Sequence, residues 1–293
     1  KVVYQIYPKS YKDTTGNGIG DLQGIIEKIP YLAKLGVDMV WLNPFYPSPQ
    51  HDNGYDISDY TAVNPLFGSM DDFEEMIQVG KEYGIEFMLD MVLNHCSTEH
   101  EWFQKALAGD NYYQDFFFLR DEPTDWLSKF GGSAWAPFGD TGKYYLHLYD
   151  VTQADLNWHN PHVREELFKV VHFWLDKGVK GFRFDVINVI GKDEILENCP
   201  ENDGKPAYTD RPIVHEYLHM LNEETFGTDE AIMTVGEMSA TNIENCILYT
   251  APERHELSMA FNFHHLKVDY ENGQKWTLKN FDFEELTLLY QFL

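Results

Sequence analysis

Residues 181–186 read Gly-Phe-Arg-Phe-Asp-Val (GFRFDV), and the fold turns on how this stretch is read. It is apolar or glycine apart from Arg183 and Asp185, two opposite charges two residues apart. Side chains at i and i+2 of a strand point to the same face. Both charges therefore share one face, while Phe182, Phe184 and Val186 take the other and pack against helices. Burying ions costs several kcal/mol each and seldom adds stability even when they are paired. A core strand that carries both points to chemistry at its end.

Outward from this strand the chain alternates between two periodicities. Apolar strands are predicted over 2–7, 38–42, 86–92, 179–186, 231–235 and 257–261. Helices are predicted over 21–35 (interrupted by Pro30), 71–83 with Ser69 as N-cap, 161–177, 212–226 and 241–249. Such alternation implies parallel strands with right-handed crossovers, and the expected architecture is an α/β (β/α)8 barrel of which about six strands are present. Residues 96–160 follow the third strand and are too long for an ordinary βα loop. The chain thus divides into a first barrel part over 1–95, a small inserted domain over 96–160 and a second barrel part over 161–293. A doubly wound open sheet is disfavoured, because no Gly-rich GxGxxG turn follows the first strand.

Functional groups in such barrels come from the C-terminal ends of the strands. Asp185 lies at one such end, and Glu237 follows the next strand in GEM. The third strand ends in DMVLNH with Asp90, Asn94 and His95, and the loop after the second carries NGYDISDY with Asp56. Two carboxylates on adjacent strands suit glycoside hydrolysis with retention if they lie about 5–5.5 Å apart. Asp185 would attack the anomeric carbon, kept charged by Arg183, and Glu237 would act first as acid and then as base.

Composition narrows the partners. The 293 residues are 43% hydrophobic and 15% aromatic, enough for a large core. A net charge of −26 repels polyanions, which argues against nucleic acid and anionic membrane surfaces. No apolar run approaches the ~18 residues of a membrane span. Cys96, Cys199 and Cys246 are odd in number and widely spaced, which predicts neither a disulfide framework nor a zinc site and suits a cytoplasmic protein. Within this acidic chain, 264–275 gathers His264, His265, Lys267 and Lys275 after a barrel strand. Lysines at a pocket rim can receive phosphate, although the same residues also suit a solvated loop. Near the start, DTTGNGIGD (13–21) sets Asp13, Thr15, Asn17, Ile19 (through its carbonyl) and Asp21 at the spacing of an EF-hand-like loop. Gly24 replaces the final glutamate, so this is no true EF-hand; it reads either as a structural Ca²⁺ (or Mg²⁺) site or as a Gly-rich turn held by Asx hydrogen bonds. No cofactor is expected for catalysis.

The blocks DMVLNH (90–95), GFRFDV (181–186), GEM (236–238) and QADLN (153–157) resemble the signatures of the α-amylase superfamily, glycoside hydrolase family 13, in the family's order. The opening VVYQIYPKSYKD and NGYDISDY extend the resemblance over essentially the whole chain. It implies a barrel with an inserted domain B, Asp185 as nucleophile and Glu237 as acid/base. It further implies that Asp56, His95 and Arg183 grip the glucose at the cleaved position. The tail, above all ELSMAFNFHHLKVDYENGQKW, resembles members that hydrolyse trehalose 6-phosphate to glucose and glucose 6-phosphate. That implies a small phosphorylated disaccharide as partner, with Lys267 and Lys275 on its phosphate. Oligo-1,6-glucosidases, dextran glucosidases and related transglycosylases are the alternative, and non-catalytic transporter-associated barrels a remote one. The family's NHD motif of the seventh strand, its eighth strand and its C-terminal β-domain are not found before Leu293. The sequence therefore reads as a truncated chain, expected to be inactive by itself.

Overall fold

The computed structural model describes residues 1–261, 263–271 and 277–290; Lys275 lies outside the described residues. Six parallel strands form one sheet in chain order: β1 (Val3–Ile6), β2 (Met39–Leu42), β3 (Glu86–Met91), β4 (Gly181–Phe184), β5 (Met233–Gly236) and β6 (Met259–Ala260). Helices fill the crossovers: α1 (Leu22–Leu35), α2 (Met70–Tyr83), α3 (Pro161–Asp176), α4 (Pro212–Glu224) and α5 (Ile243–Thr250). Chain-order parallel pairing with a helix between strands is the arc of a (β/α)8 barrel.

Each helix forms where its apolar stripe and caps coincide. In α1 the fully buried Leu22, Ile25, Ile29 and Leu32 make one face, and the Asp21 side chain accepts the amide hydrogen of Gly24. Helix α1 runs unbroken through Pro30, against the expected interruption. Pro30 is on the exposed face, where water can satisfy the Ile26 carbonyl that loses its donor. A reciprocal capping box of Ser69 and Asp72 starts α2. Between sheet and helices the Trp174 ring packs against Phe45, Tyr46 and Phe73, with centroids 5.6, 5.6 and 4.9 Å away.

The other face of the sheet is the barrel interior. Met39, Met88 and Val235 cluster there with Trp41, Met233 and Phe261. Gly181 sits in this layer because a Cβ would meet the Met233 carbonyl oxygen at 2.9 Å and the Met88 side chain at 3.0 Å. One layer higher, the parallel register sets Arg183 beside Asp90 on one side and Val235 on the other. The charges of GFRFDV thus point inward, and Phe182 and Phe184 point outward onto Phe226.

Strand β4 ends at Phe184, short of the predicted 186. Val186 turns left-handed (φ 38°), a conformation β-branched residues rarely adopt. Its side chain does not face the helices, as the alternation predicted, but packs with Trp126, Trp135, Leu146 and Leu148 of the insertion.

The insertion leaves β3 through His95–Ser97, which pairs antiparallel with Gln153–Asp155 on the return. Between them lie the helix Glu101–Leu107 and a three-stranded antiparallel sheet of Leu119–Arg120, Tyr144–Leu146 and Trp135–Pro137. His100 caps that helix: its Nδ1 accepts the Trp102 amide hydrogen at 3.1 Å, and burial lowers its pKa to about 4. The unfolded chain, with an ordinary histidine, therefore binds the proton first. Stability from His100 is complete above about pH 6.5 and is lost as pH falls toward 4, by up to about 3 kcal/mol. His100→Asn keeps a capping acceptor without the titration. Urea unfolding at pH 7.5 and 4.5 should show a smaller acid loss in this variant than in the parent, and equal losses would remove His100 as the cause.

Candidate active site

One guanidinium organises the rim of the barrel. Arg183 Nη1 donates to Asp90 Oδ1 at 2.6 Å and to Asp185 Oδ1 at 2.7 Å, while Nη2 donates to Glu237 Oε2. Arg183 is 5% exposed and packs between Trp41 and Tyr55, whose ring centroids lie 5.4 and 5.7 Å from its central carbon. Burial by itself would lower the pKa of this side chain, but Asp90 and Asp185 outweigh burial and hold it above its ordinary value. Asp90 is fully buried and also accepts from Trp41 Nε1 and Tyr55 OH. Burial raises its pKa to about 6 against the pull of Arg183. Asp185 and Glu237 thus meet on one guanidinium, each through one carboxylate oxygen.

The loops that carry the two carboxylates are tied to each other. The Ile187 amide donates to the Glu237 carbonyl, and the Glu237 amide to the Phe184 carbonyl. Buried Asn188 accepts the Ser239 amide hydrogen at 2.6 Å and donates to the Ser239 carbonyl at 2.8 Å. Its amide group also donates to Asp210 at 2.8 Å. Asp210 receives Thr241, Asn245 and Tyr249 as well, so α5 and the loop after β5 share one carboxylate with the loop after β4.

Nearer the insertion, the ring nitrogens of buried His95 lie 3.2 Å from the side-chain nitrogens of Asn94 and Gln153. Gln153 donates to Asp52 at 2.9 Å. Burial raises the pKa of Asp52, with His95 lowering it and Asp185 raising it further. Asp52 therefore lies within electrostatic reach of both His95 and Asp185. Asp56, expected to grip sugar, is fully buried and turned into its own loop: it accepts from Ser48 Oγ at 2.7 Å and the His51 amide at 2.8 Å. Tyr55 precedes it within NGYDISDY and Asp52 lies immediately before that motif, and composition cannot choose between two carboxylates four residues apart. Asp155 of QADLN accepts from the Leu148 amide and Asn94. It also pairs at 2.9 Å with fully buried Lys192, which no pattern marked beforehand.

Outside Glu237 opens a cavity of about 430 Å³ that includes Lys129, Tyr149, Phe261, Phe263 and Lys267 in its lining. Lys267 is exposed on the turn His264–Lys267. The loop 13–21 is elsewhere. Amide hydrogens of Gly18, Gly16 and Thr15 hold the Asp13 carboxyl below its usual range, and Asp21 accepts from Thr14 and caps α1. Asn17 accepts the Ile19 amide hydrogen. The side-chain donors here are oxygens, which suits a hard cation, but backbone hydrogens already engage both carboxylates. No group of three or more His, Cys, Asp or Glu able to hold a metal occurs among the described residues.

A rim of carboxylates around one arginine on a parallel β/α arc defines the α-amylase type of catalytic domain. That family, described as "Alpha amylase, catalytic domain", matches residues 5–291, and this chain belongs to it. The chain is 54% identical over 292 residues to the trehalose-6-phosphate hydrolase of Bacillus subtilis (strain 168), covering 97% of this chain and 52% of that protein. It is 45% identical to the oligo-1,6-glucosidase of Bacillus cereus, covering 95% of this chain and 52% of that one. The crystal structure of Bacillus licheniformis trehalose-6-phosphate hydrolase superposes with a TM-score of 0.95 at 55% identity, over 99% of this chain and 54% of that one. The chain spans about half the length of the curated relatives it matches.

If the full-length protein is a glycoside hydrolase in which Asn188 positions Glu237 through Ser239, its Asn188→Ala variant should have kcat lowered roughly 10- to 100-fold on a disaccharide, whose leaving group needs a proton. The loss should be several-fold smaller on α-glucosyl fluoride, whose leaving group needs none. Equal losses on both substrates would reduce Asn188 to a structural role.

Proposed function

We propose that the protein to which these residues belong is a retaining α-glucosidase that hydrolyses trehalose 6-phosphate to glucose and glucose 6-phosphate. The observation that carries this reading is the Arg183 fork joining Asp185 and Glu237. In the first step an Asp185 oxygen attacks the anomeric carbon, and Glu237 gives its proton to the bridging oxygen, which leaves as glucose 6-phosphate. In the second, Glu237 takes a proton from water, whose oxygen displaces Asp185 and releases glucose with the original configuration. His95, Arg183 and Asp52 hold the glucosyl unit, with Asp56 shaping their loop. Lys267 and Lys275 receive the phosphate of the leaving sugar.

The substrate is supported by the relatives: the trehalose-6-phosphate hydrolases of Bacillus subtilis (strain 168) and Escherichia coli (strain K12) are 54% and 53% identical to this chain, and the oligo-1,6-glucosidase of Bacillus cereus 45%. No helix among the described residues is long and apolar enough to cross a membrane. A cytoplasmic site of action belongs to the proposal, because a phosphorylated sugar is made and kept inside cells.

In the full-length protein, kcat/KM for trehalose 6-phosphate should exceed that for isomaltose by 100-fold or more, and a preference for isomaltose would replace this reading by oligo-1,6-glucosidase. Glu237→Gln should lower kcat about 10²- to 10⁴-fold. A structural Ca²⁺ (or Mg²⁺) held by Asp13, Thr15, Asn17, Asp21 and the Ile19 carbonyl is also proposed. Adding Ca²⁺ to chelator-treated protein should then raise Tm by a few degrees, and an unchanged Tm leaves the loop a turn held by hydrogen bonds alone.

A further inference from the structure

The cavity outside Glu237 has a charge balance unlike that of the chain. Acidic residues outnumber Lys and Arg 48 to 22. The cavity lining nevertheless holds two lysines, Lys129 and Lys267, and one carboxylate, Glu237 itself. The two lysines come from different parts of the fold. Lys267 follows β6, whereas Lys129 belongs to the insertion, in the SKFGG turn where its amide donates to the Leu148 carbonyl.

Lys129 is partly buried, and its ammonium stands over the Tyr208 ring at 5.1 Å. No carboxylate among the described residues forms an ion pair with it; nearby Asp203 pairs with Lys205 instead, at 3.2 Å. Burial, then repulsion from Lys205, lowers the Lys129 pKa to about 8. A cation held in a pocket wall without an anion is unfavourable until an anion arrives.

Geometry also fixes which part of a substrate reaches it. An acid that protonates the bridging oxygen stands between the two sugars. With the glucosyl unit of the proposed reaction at Asp185, the cavity, whose lining includes Glu237 but not Asp185, is the space open to the leaving sugar. The rings of Phe261 and Phe263 offer that sugar apolar surface, and the lysines offer positive charge.

We propose that Lys129 is a phosphate-binding, specificity-determining residue that meets the 6-phosphate of the leaving glucose from the insertion side of the cavity lined also by Lys267. This inference rests on the trehalose 6-phosphate reading above and adds that the insertion, not the barrel alone, selects a phosphorylated substrate. A dianionic phosphate has oxygens enough for ammonium groups from both walls, and each charge-assisted contact is worth roughly a 10- to 100-fold change in affinity.

The test uses the full-length protein and two substrates, trehalose 6-phosphate and p-nitrophenyl α-D-glucopyranoside, which carries no phosphate. Lys129→Met should raise KM for trehalose 6-phosphate roughly 10- to 100-fold, with kcat changed far less. The loss of kcat/KM on the unphosphorylated substrate should be at least tenfold smaller. Lys129→Arg, which keeps the charge, should recover part of the KM. Equal losses on both substrates, or no loss on either, would overturn the role of Lys129 while leaving the proposed activity standing. An unmutated protein that fails to prefer trehalose 6-phosphate over isomaltose would overturn that activity and this inference together.

Discussion

Arg183 stands nearly sealed from solvent between three carboxylates, those of Asp90, Asp185 and Glu237. A lone buried guanidinium would cost several kcal/mol, and so would each unpaired carboxylate around it. Together they are tolerable because Nη1 and Nη2 present hydrogens in a planar fork that carboxylates match. The strand register then does the rest: Asp90 and Arg183 are neighbours across β3 and β4, and Glu237 lies one residue beyond the end of β5. Remove the arginine and three negative groups face one another in a low dielectric.

With Glu237 protonated as the proposed acid, Asp90 and Asp185 against one guanidinium still leave the site negative. A negative enclosure suits a reaction whose transition state resembles an oxocarbenium cation. The same field would oppose the phosphate of the proposed substrate. Carboxylates gather around Arg183, whereas Lys129 and Lys267 line the cavity next to Glu237. A net charge of −26 therefore says little about the ligand, because the cavity lined by Lys129, Lys267 and Glu237 has a local charge of the opposite sign.

The insertion is a wall of the site as much as a separate layer. Its return strand delivers Gln153 to Asp52 and His95, and Asp155 to Asn94 and Lys192. Lys192 itself comes from the loop after β4, so a buried ion pair ties the insertion to the strand that bears Asp185. Val186 completes the join: its left-handed turn sends the side chain into the insertion's aromatic core and leaves Asp185 at the lip.

Much of this was legible in one dimension. Period-2 and period-3.6 patterns are local, so every strand and helix of the sheet could be placed within a few residues, and Ser69 announced its helix by side-chain chemistry alone. The same alternation put Arg183 and Asp185 on one face, and the strand ends put Asp185, Glu237 and His95 on one rim. What stayed hidden depends on closure in space. The contact of Asp52 with Gln153 joins residues 101 apart, and that of Lys192 with Asn94 residues 98 apart. Neither leaves a local trace, and nothing in DNGYD tells which aspartate turns toward the pocket and which into its own loop. The sequence by itself determined the order of elements and the face each charge occupies, because both follow from backbone geometry over a few residues. Only the tertiary structure decided which charges meet, because that depends on where the strands and the insertion come to rest against one another.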